Sequence, residues 1–173
     1  MLETIFEKRR GMSRVEVREG FAQVHVSRIE SYVMEERLRI LQAVADAGVS
    51  MDFLKLTPTG MSFMVPEERA ADVESALAGT GAHFTVRHNR SIVLVYAVNI
   101  RDEEGMIANI LRATITTCAT VDHVGDMHDR MLMVVKSEDV PMVVEQFEKS
   151  GMGFQPLGIH GHPAPEIQLG GQE

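Results

Sequence analysis

The sequence predicts an α+β fold made of two copies of a βαββαβ module. Two observations support this prediction. Apolar residues alternate with a period of two in some segments and with a helical period in others. The same order of segments then occurs a second time after roughly 70 residues, which indicates an internal duplication. With 173 residues, of which 45% are hydrophobic and 24% charged, the chain is long enough to bury one or two ordinary cores.

The first module is predicted between residues 21 and 89. Its four strands are predicted at Phe21–Arg28, Met51–Leu56, Met61–Val65 and His83–Arg87. The first helix ends at Gly48, and its predicted apolar face comprises Met34, Leu38, Leu41 and Ala45, flanked by Ile40 and Val44. The second helix opens at Pro66, which suits a first turn, and its predicted apolar face comprises Ala70, Val73 and Leu77.

The second module is predicted between residues 90 and 157 and has the same element order. Its strands are predicted at Ser91–Ile100, Thr120–Val124, Met131–Lys136 and Phe154–Leu157. Its helices are predicted at Gly105–Thr116 and around Val140, Val143, Val144 and Phe147. Residues 1–20 are predicted to be an N-terminal segment with one candidate strand, Arg14–Arg18, and residues 158–173 a flexible tail.

This element order is typical of the split βαβ, or ferredoxin-like, arrangement, in which both helices cover one face of an antiparallel sheet. The opposite face of each sheet then needs another cover. The apolar residues predicted to need it are Val24, Val26, Val93 and Val95. We therefore expect a homodimer or a larger homo-oligomer.

Charge and composition argue against several classes of partner. The 17 basic and 25 acidic residues give a net charge of −8, which repels nucleic acids and anionic lipids. No segment is long and apolar enough to cross a bilayer, and the first ten residues lack a signal-peptide core. We expect a cytoplasmic protein that binds neither nucleic acid nor membrane. The single cysteine, Cys118, is interpreted as a small buried hydrophobic residue.

Two short motifs resemble a known family. Leu41–Asp52 (LQAVADAGVSMD) and Met61–Pro66 (MSFMVP) are similar to stretches of the regulatory region of aspartokinases, which consists of tandem ACT modules. The resemblance runs from about Gly11 to Leu157. It implies two ACT modules in a regulatory protein without a catalytic domain. It also implies an amino-acid effector, such as threonine or lysine, and a partner enzyme of amino-acid metabolism.

The resemblance further implies a ligand-binding loop before the first helix of each module. In the first module these residues are Ser31, Tyr32, Val33, Met34 and Glu35, where the family usually has an Asp-x-Pro-Gly-like loop. In the second module they are Asp102, Glu103, Glu104, Gly105, Met106 and Ile107. We expect the second loop to contribute more, because Gly105 admits close approach whereas Tyr32 and Met34 are bulky. Its acidic residues have a second interpretation, as a first turn that only complements the helix dipole.

Candidate metal ligands crowd one predicted turn, and two histidines follow in the tail. They are Asp122, His123, Asp126, His128 and Asp129, with His160 and His162. Their spacing matches no closed structural site, and an Asp-rich turn is expected in any case, so we expect neither metal nor cofactor. No catalytic or phosphate-binding motif is present, and we do not expect an enzyme. Two alternatives stay open: an interaction module whose effector site has decayed, and a small enzyme that uses the Asp and His cluster.

Overall fold

The computed structural model describes residues 12–97, 100, 104–127 and 129–150. Their strands are β1 Met12–Ser27, β2 Asp52–Thr57, β3 Gly60–Pro66, β4 His83–Ala97, β5 Val121–Asp126 and β6 Arg130–Lys136. Their helices are α1 Val33–Asp46, α2 Ala70–Ala78, α3 Met106–Thr116 and α4 Val140–Lys149. Within these ranges no helix is long and apolar enough to span a membrane.

The chain divides into two compact units. The first unit contains Gly20–Ser91 and Lys136–Glu138, and the second contains the described residues of 12–19, Ile92–Val135 and 139–150. The segments predicted as separate strands before residue 28 form one continuous strand, whose residues 12–19 belong to the second unit. The sequence pattern places them instead in an N-terminal segment outside both modules. The predicted strand Phe154–Leu157 lies outside the described residues.

In the first unit the strand order is β2, β3, β1, β4, with β3 antiparallel to both β1 and β2. Alternate residues of β1 and β3 form one side of the core, and the helices form the other. The strand residues are Ala22, Val24, Val26, Met61, Phe63 and Val65. The buried helix residues are Ile40, Val44, Ala70, Val73 and Leu77. Both helices therefore cover one face of this sheet, as predicted.

In the second unit the strand order is β1, β4, β6, β5, and β5 and β6 are antiparallel. Its core comprises alternate residues of β1, β4 and β6 together with buried residues of α3 and α4. Val140, Val143 and Phe147 of α4 repeat the spacing of Ala70, Val73 and Leu77 in α2. The structure confirms the fold class of two ferredoxin-like modules.

The apolar face of α1 differs in part from the prediction, because its centre lies at the flanking residues Ile40 and Val44. Met34 and Leu38 are 58% and 61% exposed, whereas Ile40 and Val44 are fully buried. Arg37 donates hydrogen bonds to the carbonyls of Thr57 and Gly60. The side of α1 that carries Arg37 therefore faces the β2–β3 hairpin. Two overlapping sets of apolar residues in α1 fit a helical period, and only packing against the sheet selects between them.

The structure also differs from the prediction that four valines lie on a sheet face without helices. Val24, Val26, Val93 and Val95 belong to the two helix-covered cores. The alternate residues of these and the neighbouring strands are nearly completely buried too: they include Gln23 of β1, Ser62 and Met64 of β3, Ile92 and Leu94 of β4, and Val134 of β6. The argument for a homo-oligomer from uncovered valines is therefore wrong, and the homo-oligomer itself stays a prediction.

The interpretation of Cys118 as a buried residue is wrong. Its side chain is exposed, and its φ of 57° lies in the left-handed region just after α3. The Cys118 N–H donates to the carbonyl of Ile115 and closes the last turn of the helix. Gly48, with a φ of 67°, follows α1 in the same way. Cys118 thus occupies a helix-ending position at which glycine is more usual.

A polar network joins three strands of the second unit. The Tyr96 hydroxyl donates to Glu16 over 3.0 Å and accepts from Arg130 over 3.0 Å, while Arg18 donates to Glu16 over 2.7 Å. The guanidinium of Arg14 lies 3.8 Å from the centre of the Tyr96 ring. Since these residues come from β1, β4 and β6, the network ties the N-terminal half of β1 into this unit.

Stability is expected to depend on pH through Glu16. Burial on its own raises the pKa of the Glu16 carboxyl, but hydrogen bonds from Arg18 and Tyr96 and the nearby positive charges outweigh it and hold the pKa below its ordinary 4.5. Such a group stabilises the fold above its ordinary pKa, and this contribution is lost as the pH falls through the folded-state value.

We expect Glu16→Gln to lower the free energy of unfolding by about 1–2 kcal/mol at neutral pH, with a smaller difference well below pH 4.5. Urea unfolding of both proteins at the two pH values measures it. A difference of the same size at both values would contradict the role of the Glu16 charge.

Candidate functional site

A cavity of about 300 Å³ lies in the first unit, where β1 ends and α1 begins. Three segments form its wall: the end of β1 with the loop that follows it, one face of α1, and the turn that precedes β4. The residues are Val26, Ser27, Arg28, Ile29, Glu30, Ser31, Tyr32, Glu36, Arg39, Ile40, Gly81, Ala82 and His83. The volume is at the lower end of the range for small-molecule sites and suits a ligand about as large as an amino acid.

The loop at this cavity has a strained backbone. Arg28 has a φ of 60° and Tyr32 a φ of 48°, both in the left-handed region. That conformation costs a non-glycine residue about 1–2 kcal/mol, and such strain is concentrated at binding sites. Two hydrogen bonds hold the loop: the Ile29 N–H donates to Thr59, and the Glu36 N–H donates to Tyr32, each over 2.9 Å. The loop is therefore a fixed part of the wall.

The charged residues of the wall fall into two groups. Arg39 is paired with Glu36 and also donates to the carbonyl of Thr80. Arg28 and Glu30 are both exposed, and neither forms a hydrogen bond or ion pair with any described residue. One cation and one anion, two residues apart, are thus available to a ligand.

The start of α1 adds backbone donors to this wall. The helix has 14 residues, and its N-cap residue, Tyr32, provides no side-chain hydrogen bond to the first turn. Uncapped first-turn amides can donate to a carboxylate, which the helix dipole also favours. Glu35 and Glu36 in the same turn already complement the dipole in part.

The first predicted loop lies only partly at the cavity. Ser31 and Tyr32 line it, whereas the next three residues belong to α1 and do not. Val33 packs against the core, and Met34 and Glu35 are exposed.

The second predicted loop is described only from Glu104 onward, so Asp102 and Glu103 lie outside the described residues. Gly105, with a φ of 79°, is the N-cap of α3 and thus has the position that Tyr32 has before α1. Met106 and Ile107 contribute to the core of the second unit. The preference for this loop as the ligand site stays a prediction, and the site proposed below, at the first loop, is the alternative to it.

The candidate metal ligands do not form a described site. In the described ranges no group of histidine, cysteine and acidic side chains is arranged to hold a metal ion. Asp122, His123, Asp126 and Asp129 each have an interaction with another residue. The other three candidate ligands, His128, His160 and His162, lie outside the described residues.

Sequence reasoning missed Arg28, Glu30, Arg39 and His83. An opposite charge pair between a strand end and a helix start was a usable signal for Arg28 and Glu30. His83 lies about fifty residues further along the chain, and only the packing of β4 beside β1 brings it to the cavity.

Solved structures show what this chain is similar to. The regulatory subunit of aspartate kinase from Thermus flavus matches 82% of this chain and 99% of its own, with a TM-score of 0.74 and 16% identity. The ligand-free regulatory subunit of the Thermus thermophilus enzyme matches 80% of this chain and 97% of its own, with a TM-score of 0.71 and 17% identity. This chain has the fold of an aspartate kinase regulatory subunit.

The same fold also forms part of longer enzymes. E. coli aspartokinase III, solved in complex with lysine and aspartate, matches 83% of this chain and 34% of its own, with a TM-score of 0.64 and 11% identity. No protein-family model matches the sequence, and no curated protein matches it. The aspartate kinase regulatory fold is therefore established here by tertiary structure.

Proposed function

We propose that this chain is a non-catalytic regulatory protein that binds a free amino acid in the cavity beside Tyr32. One observation carries the proposal: an amino-acid-sized cavity presents Arg28 and Glu30, two opposite charges without partners among the described residues. A free amino acid has a carboxylate and an ammonium group close together. Arg28 and the first-turn amides of α1 suit the carboxylate, and Glu30 suits the ammonium.

The fold supports a regulatory role. Two of the similar structures are regulatory subunits, and E. coli aspartokinase III was solved with lysine and aspartate. We propose that this chain acts in the cytoplasm as a homo-oligomer, that threonine or lysine is its effector, and that it regulates an enzyme of amino-acid metabolism.

One serine–histidine pair invites a catalytic alternative. His25 Nδ1 lies 2.7 Å from Ser62 Oγ, on β1 and β3. Ser62 is only 1% exposed, however, so a substrate cannot reach its hydroxyl. The pair favours a structural role and supports the non-catalytic proposal.

Amino acids are expected to stabilise the protein. A thermal-shift screen against the twenty amino acids should find at least one that raises the melting temperature, since a ligand at 100 times its Kd stabilises the fold by about 2.7 kcal/mol. Arg28→Ala should weaken the binding of that amino acid by about tenfold or more, because a charge-assisted hydrogen bond is lost.

Arg112→Ala is the matched control. Arg112 is also exposed, lies in α3 and does not line the cavity. The proposal would be wrong if no amino acid stabilised the protein, or if Arg28→Ala and Arg112→Ala bound it equally well.

The alternative of an interaction module has its own supporting observation. Four large apolar side chains of the first unit are exposed on two elements, α1 and β2: Met34, Leu38, Leu54 and Leu56. Such side chains are typical of protein contact surfaces where they form one continuous patch. A negative amino-acid screen would favour this alternative.

A further inference from the structure

Tyr32 has a left-handed backbone conformation, which glycine adopts more readily than other residues. It has left-handed backbone angles, a φ of 48° and a ψ of 46°, at the N-cap of α1. Gly105 has the corresponding position before α3, with a φ of 79°. Glycine adopts this conformation without steric cost, whereas a Cβ makes it unfavourable. The first unit therefore accepts backbone strain at this position.

The Tyr32 side chain forms no hydrogen bond that would offset this strain. The Tyr32 side chain is 79% exposed and provides no hydrogen bond to cap the helix. It forms no hydrogen bond, ion pair or ring contact with another described side chain. An aromatic ring exposed to this extent gains little from burial in the folded chain. Tyr32 lines the cavity, so a ligand bound there would lie within reach of the ring.

We propose that Tyr32 determines specificity by covering the amino acid bound in the cavity. This inference rests on the proposed function. The loop backbone is held by the Ile29 and Glu36 hydrogen bonds, so we assign the closure to rotation of the Tyr32 side chain.

The chemistry of the ring and its neighbours indicates which amino acids are favoured. An aromatic face attracts cations and packs well against aliphatic chains. Arg28 and Glu30 are proposed to bind the two charged ends of the ligand, and Glu36 is paired with Arg39, so the aromatic face is left to select the side chain. The covered site should therefore favour an amino acid with a cationic side chain or with an uncharged side chain that carries methyl groups, and should disfavour one with an acidic side chain.

Tyrosine fluorescence tests this cover directly. The chain contains no tryptophan and two tyrosines, and the second, Tyr96, is buried. Quenching of the wild-type protein by acrylamide therefore reports mainly on Tyr32. Addition of L-lysine or L-threonine should reduce the quenching, and L-aspartate should reduce it less.

Titration calorimetry with the same three amino acids provides the second measurement. Tyr32→Gly should weaken the binding of L-lysine or L-threonine by about three- to thirtyfold, the range that a ring contact supplies. Its melting temperature should not fall, because the backbone strain is relieved. Tyr32→Phe should bind nearly as the wild type does. Leu38→Ala is the control, since Leu38 is exposed on α1 but does not line the cavity.

The outcomes separate the two proposals. Absence of binding heat for all three amino acids, together with a negative screen, overturns the proposed function and the role of Tyr32 with it. Normal affinity in Tyr32→Gly, or unchanged wild-type quenching when heat is observed, overturns only the role of Tyr32. If Tyr32→Gly fails to fold, the wild-type quenching experiment decides.

Discussion

Gly60→Ala is expected to lower the free energy of unfolding by about 3 kcal/mol. A Cβ at Gly60 would lie 2.5 Å from the carbonyl oxygen of Val26 and 3.2 Å from Oγ1 of Thr57. The first contact is with backbone in a strand, so it cannot be relieved by rotating a side chain. Relief requires separating β3 from the end of β1, and such overpacking typically costs about 1–3 kcal/mol or somewhat more.

Urea unfolding of Gly60→Ala measures this cost. Gly79→Ala is the matched control, because a Cβ there meets only the Ala76 carbonyl at an ordinary 3.5 Å. It should leave stability unchanged or raise it slightly. Since Val26 also lines the cavity, Gly60→Ala should in addition weaken amino-acid binding. Equal stability of the two variants would show that β1 and β3 can separate at little cost.

Phe147→Ala is expected to have the larger effect, a loss of about 4 kcal/mol. Phe147 of α4 is 0% exposed in the core of the second unit, where it packs with residues such as Val143 and Met133. Truncation removes the buried ring and leaves a cavity that the surrounding strands fill only in part.

Thermal and urea unfolding followed by circular dichroism measure this loss. Met142→Ala on the same helix is the control, since Met142 is 45% exposed and should change stability by about 0.5 kcal/mol or less. A loss below about 2 kcal/mol for Phe147→Ala would mean that the core of the second unit repacks around the missing ring.

Much of the fold could be predicted because its signals are local. The alternation in Phe21–Arg28 and the helical spacing of Ala70, Val73 and Leu77 depend on neighbouring residues alone. A similar helical spacing recurs in the residues of α4, and this recurrence is part of the sequence signal for the duplication. The predicted opening of the second helix at Pro66 also lies just before the short helical turn Glu67–Arg69 that leads into α2.

The candidate site was predicted only in part. Ser31 and Tyr32 line the cavity, and the resemblance to aspartokinase regulatory regions had selected their loop. Arg39 was missed because a single arginine in a helix is usually part of a solvated face. Spacing alone also misplaced Met34 and Leu38, which are spaced like core residues but are exposed.

What the sequence determined by itself is the set of elements, their order and their duplication, because hydrogen bonding within helices and side-chain alternation in strands are short-range. Tertiary structure decided everything that depends on which strands pair. It assigned Met12–Glu19 to the second unit, turned the Ile40 and Val44 side of α1 to the core and brought His83 to the cavity beside Tyr32. Strand pairing joins residues far apart in the chain, and the energy that selects one pairing comes from the whole packed core.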